Sequence, residues 1–103
     1  MADLASRVDT VMSKSLRLRF WRVEANLTGS IDKLNEHLDG HFQFVNKSLV
    51  DGRIFAAGPL LDEKGRNVGA GMIIMIGNSI DEIRTALLDD PFYSLGIRQY
   101  EIR

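Results

Sequence analysis

Ile54-Phe55-Ala56-Ala57-Gly58-Pro59-Leu60, the turn Asp62-Glu63-Lys64-Gly65, and then Gly71-Met72-Ile73-Ile74-Met75-Ile76 form the stretch that decides the fold. Apolar runs on either side of turn-forming residues predict two strands, from Arg53 to Leu60 and from Gly71 to Ile76, joined as a hairpin. A sheet covered by helices on one face should alternate apolar and polar side chains. This hairpin does not: Met72, Ile74 and Ile76 are apolar, and so are Ile73 and Met75. Ile54, Phe55, Ala56 and Ala57 repeat the pattern, so both faces of the sheet need cover. A second copy of the chain, packed sheet to sheet about a two-fold axis, supplies it most simply. The plainer alternative is a monomer with an unusually apolar hairpin.

Upstream of the hairpin, Leu16 to Val23 reads as a strand, with Leu16, Leu18 and Phe20 on one face and Arg17, Arg19 and Trp21 on the other. Ser30 caps a predicted helix whose stripe is Ile31, Leu34, Leu38, Phe42, Val45 and Leu49, and Gly52 suits the position just past its end. Downstream, Ser79 and Glu82 make a capping box for a second helix with Ile80, Ile83 and Leu87 buried, and Pro91 helps to end it. Ile97 to Ile102 completes the order βαββαβ, the split βαβ or ferredoxin-like arrangement of an α+β domain. Residues 1–14, with Leu4, Val8, Val11 and Met12 at helical spacing, are expected to form an arm or short helix ahead of a domain spanning 15–103.

Composition narrows the function. The 103 residues are 45% hydrophobic and carry 13 basic against 14 acidic side chains, enough for one compact core. That near-neutral balance argues against a general polyanion binder and against attraction to an anionic membrane. Cysteine is absent, which removes disulfides, thiol nucleophiles and thiolate metal sites. No stretch approaches the ~20 apolar residues of a membrane span and no secretory h-region opens the chain, so the expected location is the cytoplasm. The βαββαβ order also fits RNA-recognition modules, but the third strand has no aromatic or basic residue, and nucleic acid is excluded as a partner of that kind.

The chain has two histidines, His37 and His41, four apart on the predicted first helix. That spacing suits a two-ligand metal site, but no HExxH order, cysteine or third histidine accompanies it, and no metal or other cofactor is expected. His41 lies within the apolar stripe and His37 at its edge. A histidine so placed is either a satisfied core side chain or a proton-transfer group with a carboxylate partner. Asp89 and Asp90, just after the second helix, are available as that partner, and turn formation before Pro91 explains them equally well. Arg17 and Arg19 could hold an anionic substrate or simply line a solvated strand edge. Gly58 and Pro59 suit a ligand approach or an ordinary strand exit. Gly69-Ala70-Gly71 leads into a strand, so it makes no phosphate cradle.

His37-Leu38-Asp39-Gly40-His41-Phe42-Gln43, then Phe55-Ala56-Ala57-Gly58-Pro59-Leu60 ahead of Asp62-Glu63-Lys64-Gly65, then Asp90-Pro91-Phe92 with Gly96 following, resemble the YCII-related family over roughly residues 16 to 103. The resemblance implies a dimeric α/β barrel of two ferredoxin-like units. It also implies an active site on a His–Asp pair, whose histidine matches His41 rather than His37 and whose aspartate matches Asp90. Dehydrochlorination of a chlorinated hydroxyhydroquinone is one activity in that family. The wider barrel superfamily includes muconolactone isomerases and small cofactor-free monooxygenases. The N-terminal arm is extra to the family pattern, and Phe20-Trp21-Arg22 stands in the first strand, where that pattern fixes no residues.

The expectation is a homodimeric, cofactor-independent lyase or isomerase acting on a small oxygenated, aromatic-derived or lactone-like metabolite. His41 and Asp90 would be its catalytic pair, and Arg19, Gly58, Pro59 and Phe92 its substrate contacts. Assembly beyond the dimer is left open, and monooxygenation is the enzymatic runner-up. The rival reading is a non-catalytic dimeric module that binds or senses a small metabolite, which would tolerate loss of His41.

Overall fold

The computed structural model describes residues 3–12 and 18–103. Four strands, β1 (Phe20–Leu27), β2 (Ile54–Leu61), β3 (Asn67–Ile76) and β4 (Arg98–Ile102), form one sheet in the order β2-β3-β1-β4, every neighbouring pair antiparallel. With the helices between them this is the ferredoxin-like α+β arrangement. A further helix, α1 (Leu4–Met12), precedes the sheet and leaves Leu4 and Val8 exposed.

The hairpin closes on Asp62, whose Oδ1 accepts the N–H groups of Lys64 and Arg66, both at 2.9 Å. Its register pairs Ile54 with Met75, Ala57 with Ile73 and Gly58 with Met72, with a bulge between Ile54 and Ala56. The first strand lies further along the chain than Leu16 to Val23. Trp21, Val23 and Ala25 turn toward the helices while Arg22, Glu24 and Asn26 turn away, a period-2 pattern that pairs Val23 with Ile73. Leu16 and Arg17 lie outside the described residues.

The helix expected from Ile31 to Leu49 is two helices, α2 (Ile31–Glu36) and α3 (Leu38–Val50), broken at His37 with φ −109° and ψ 13°. Ser30 caps the first, accepting Lys33 N–H at 3.1 Å. The break rotates the buried face: His41, Phe44 and Ser48 point inward, whereas Ile31, Phe42 and Leu49 of the expected stripe are exposed. One residue of offset swings a helical face by about 100°, so a stripe read through a break lands on the wrong side.

Ser79 opens α4 (Ile80–Leu87) as the capping box predicts, accepting Glu82 N–H at 3.2 Å. Ile83 and Leu87 are fully buried, and each contributes roughly 1.5–3 kcal/mol of transfer free energy. Pro91 both ends that region and begins a one-turn helix, α5 (Pro91–Ser94), for which Asp90 is the cap. Two clusters make the core: Val23, Phe44, Ile54, Ile73, Met75, Ile83 and Leu87 under α3 and α4, and Leu34, Phe92 and Ile97 under α2 and α5. Tyr100 of β4 packs against both.

Away from the helices, the sheet is polar across β1 and β4, with Arg22 and Glu24 in an ion pair, and apolar across β2 and β3. Phe20 and Phe55 stand exposed there, edge to face at 5.5 Å, beside Met72, Ile74 and Ile76.

Candidate functional site

Asp90 reaches its position because α5 is too short to cap itself. Its carboxylate accepts Phe92 N–H at 3.0 Å, the usual N-cap bond, and that bond turns the side chain inward rather than to solvent. The residue is completely buried, and two more groups close on it. His41 Nδ1 lies 2.9 Å from Oδ1, and the Tyr100 hydroxyl donates to Oδ2 at 2.5 Å. Both readings of Asp90, turn former and imidazole partner, therefore hold at once, while Asp89 is exposed.

Gly40 permits the approach. A Cβ there would sit 3.1 Å from Pro91 Cγ, so a larger residue would require the Pro91 ring to give by a few tenths of an ångström. Phe92 fixes the imidazole from one side, its ring stacked on that of His41 at 4.3 Å and 13°. With Nδ1 committed to Asp90, a neutral His41 carries its proton on Nδ1 and keeps Nε2 as an acceptor.

Burial, and then the charge and hydrogen bond of Asp90, push the Tyr100 hydroxyl far above the ordinary tyrosine range. Folding therefore competes with ionisation. The unfolded chain loses this proton near pH ~10 while the folded one keeps it, so the contribution is complete below that pH and declines above it by about 1.4 kcal/mol per unit. Tyr100→Phe is expected to show an alkaline stability curve flatter by that slope. Urea titrations from pH ~9 to ~11 that give parallel curves for the two proteins would refute this account of Tyr100.

A cavity of about 300 Å³ opens between α3 and the hairpin. Leu34, Leu38, Phe42, Val45, Pro59 and Met72 give it apolar walls, and His41, Asn67 and Arg98 bring the polar side chains. The volume sits at the small end of ligand pockets and suits a single ring. Phe92, expected as a substrate contact, is fully buried and supports His41 from behind without lining the cavity, whereas Gly58 and Pro59 line it. Arg19 does not: it lies at the other end of β1, where its guanidinium donates to the Asn78 carbonyl at 3.0 Å. Alternation put Arg19 on the Trp21 face, but Trp21 and Arg19 flank Gly77 and Asn78, far along the strand from His41. His37 stays half-buried at the helix break, and among the described residues no cluster of three or more side chains is arranged to hold a metal.

Arg98 is the polar group that sequence reasoning missed. Its Nε donates to Gly69 carbonyl at 2.8 Å, and its guanidinium carbon lies 4.8 Å above the Phe92 ring. The missing side chain of Gly71 makes the room, because a Cβ there would stand 3.0 Å from an Arg98 nitrogen.

The model of the YCII-related domain matches residues 18–103. The chain belongs to the YCII-related family. No curated protein sequence matches it. Among solved structures, the YCII-related fold seen here is similar to 5-chloro-2-hydroxyhydroquinone dehydrochlorinase from Burkholderia phenoliruptrix AC1100, in complex with 2,5-dihydroxybenzoquinone. The TM-score is 0.66 at 19% identity, over 82% of this chain and 91% of that one. The likeness establishes a shared fold. Among the described residues no helix is long and apolar enough to cross a membrane.

Proposed function

We propose that this YCII-related protein is a lyase or isomerase that moves a proton on a small oxygenated ring, with His41 as general base and acid and Asp90 as its orienting carboxylate. The observation that carries the reading is the 2.9 Å contact between His41 Nδ1 and a fully buried carboxylate, at the wall of a cavity the size of one ring. Asp90 holds the imidazole with Nε2 as acceptor and stabilises the imidazolium formed when a proton is taken. The burial of both partners strengthens that interaction relative to water.

Halogenated hydroxyhydroquinones are the first substrates to try. A ring hydroxyl gives its proton to Nε2, and the carbon bearing chlorine is protonated to give the keto tautomer. A second hydroxyl then loses its proton, its electrons move through the ring, and chloride departs with the C–Cl bonding pair. The net change is loss of HCl with formation of a hydroxyquinone, which asks for no oxidant. The test supplies 5-chloro-2-hydroxyhydroquinone and follows chloride and quinone together. Equal release of both, dependent on His41, is the expected result. No His41-dependent turnover of halogenated hydroquinones or small unsaturated lactones would reject the reaction and leave a binding pocket.

The apolar half of the open sheet face supports a homodimer closed sheet to sheet into a barrel. Ile74→Glu would place a charge in the centre of that contact and is expected to give monomers in sedimentation at micromolar protein. A wild type that sediments as a monomer under the same conditions refutes the dimer.

A further inference from the structure

The cavity has two chemically different sides, and the proton-transfer reading uses one of them. On the other, Arg98 and Asn67 are tied to the same residue. Gly69, at φ 84°, gives its carbonyl to Arg98 Nε at 2.8 Å and its N–H to Asn67 Oδ1 at 2.9 Å. Because the Gly69 N–H needs an acceptor, the Asn67 amide is oriented by that bond, and its NH2 remains as donor. The Arg98 fork is anchored through Nε and also serves the Tyr100 hydroxyl, and with five donors a guanidinium keeps others for a ligand.

No lining side chain carries negative charge: the cavity has one guanidinium, one imidazole and one carboxamide among apolar groups. Asp90 stands behind His41 and is not among the lining residues. Among the described residues Arg98 makes no ion pair. Its guanidinium is held by the Gly69 carbonyl and the Phe92 face and acts on the Tyr100 hydroxyl, but no carboxylate pairs with it directly, so an anionic ligand in the cavity would be the first negative group to do so.

From this juxtaposition we infer that Arg98 and Asn67, both anchored on Gly69, form an anion-recognising side of the cavity, and that its ligand is a small ring bearing an ionised oxygen, an acidic enol, a phenolate or a carboxylate. The inference rests on the reading of this cavity as the reaction site and supplies its substrate class. An ionised oxygen on Arg98 also raises the electron density of the ring that His41 must protonate, so recognition and chemistry favour the same form of the substrate. Gly71 belongs to the device through its missing Cβ, without which the guanidinium would be displaced.

The experiment is calorimetric titration with 2,5-dihydroxybenzoquinone, an acidic enol ionised at neutral pH, and with its neutral dimethyl ether. Wild type is expected to prefer the anion by at least about tenfold, the scale of one charge-assisted contact. Arg98→Gln should erase the preference while still binding the ether, which shows that the cavity survives. Asn67→Asp, a carboxylate in place of the donor, should weaken the anion alone. His41→Gln should keep the preference, so loss of turnover in that variant and loss of anion selectivity in Arg98→Gln fail or succeed separately. A wild type that binds neither ligand, or binds both equally, overturns the inference, as does an Arg98→Gln protein that retains the preference.

Discussion

Asp90→Ala is expected to lower the unfolding free energy by about 3–5 kcal/mol, the range for breaking a buried charged pair from one side. The carboxylate satisfies three donors at once, His41 Nδ1, Phe92 N–H and the Tyr100 hydroxyl, and all three lose their acceptor in a site that water does not reach. Each orphaned donor costs about 1–3 kcal/mol, and the missing cap about 0.5–2 kcal/mol, terms that overlap because the Phe92 bond is both. Against a total of about 5–15 kcal/mol for a domain this size, the loss removes a large share of the stability. Asp90→Asn keeps one acceptor oxygen and caps as well as aspartate, so its loss should be smaller, about 1–2 kcal/mol. Urea midpoints measure both. An Asp90→Ala protein within about 1 kcal/mol of wild type would show that water or a relaxed side chain replaces the carboxylate.

The hairpin could be read because its information is local. Turn residues, two apolar runs and a proline are all within a single stretch, and the sheet follows from pairing them. The double-faced apolar pattern of Met72 to Ile76 likewise appears as one helix-covered face and one apolar, uncovered half-face. The break at His37 was not legible. Leu34, Leu38 and Phe42 continue a perfect helical spacing, and nothing in Glu36-His37-Leu38 is a helix breaker. It is the packing of Phe44 into the core, and of His41 against Asp90 and Phe92, that sets the rotation.

The same contrast runs through the cavity. His41 stands out as the histidine within the apolar stripe, Asp90 is singled out from Asp89 and from a plain turn role only by the family resemblance, and the structure brings the two to 2.9 Å. Arg98 did not stand out, because one arginine at the start of a short strand has an ordinary surface explanation. Its place depends on Gly71 across the sheet, on Gly69 at the strand entry and on the Phe92 ring, three groups whose relevance exists only after folding. Arg19 shows the opposite error. Strand alternation reports which face a side chain occupies and carries no information on which end of the strand holds the cavity.

His41→Gln is expected to reduce kcat/KM by about 10²- to 10⁴-fold, the range for a positioned general acid–base group and about 3–5 kcal/mol of transition-state stabilisation. Glutamine retains a donor that can reach Asp90, so the buried carboxylate keeps a partner and the fold is expected to survive. Asp90→Asn separates the two duties of Asp90. Asparagine begins α5 as well as aspartate does, and if capping were the only role, turnover would be unchanged. If the carboxylate orients and stabilises the imidazolium, turnover falls by about 10²-fold or more although the helix start is intact. KM should stay near wild type in both variants, because glutamine leaves a side chain of similar reach at the cavity wall and neither variant touches the Arg98 anchor. Parallel losses in kcat for His41→Gln and Asp90→Asn, with a double variant no worse than His41→Gln alone, identify one catalytic unit rather than two additive residues. Full activity in Asp90→Asn would reduce Asp90 to a helix cap and leave His41 without its partner.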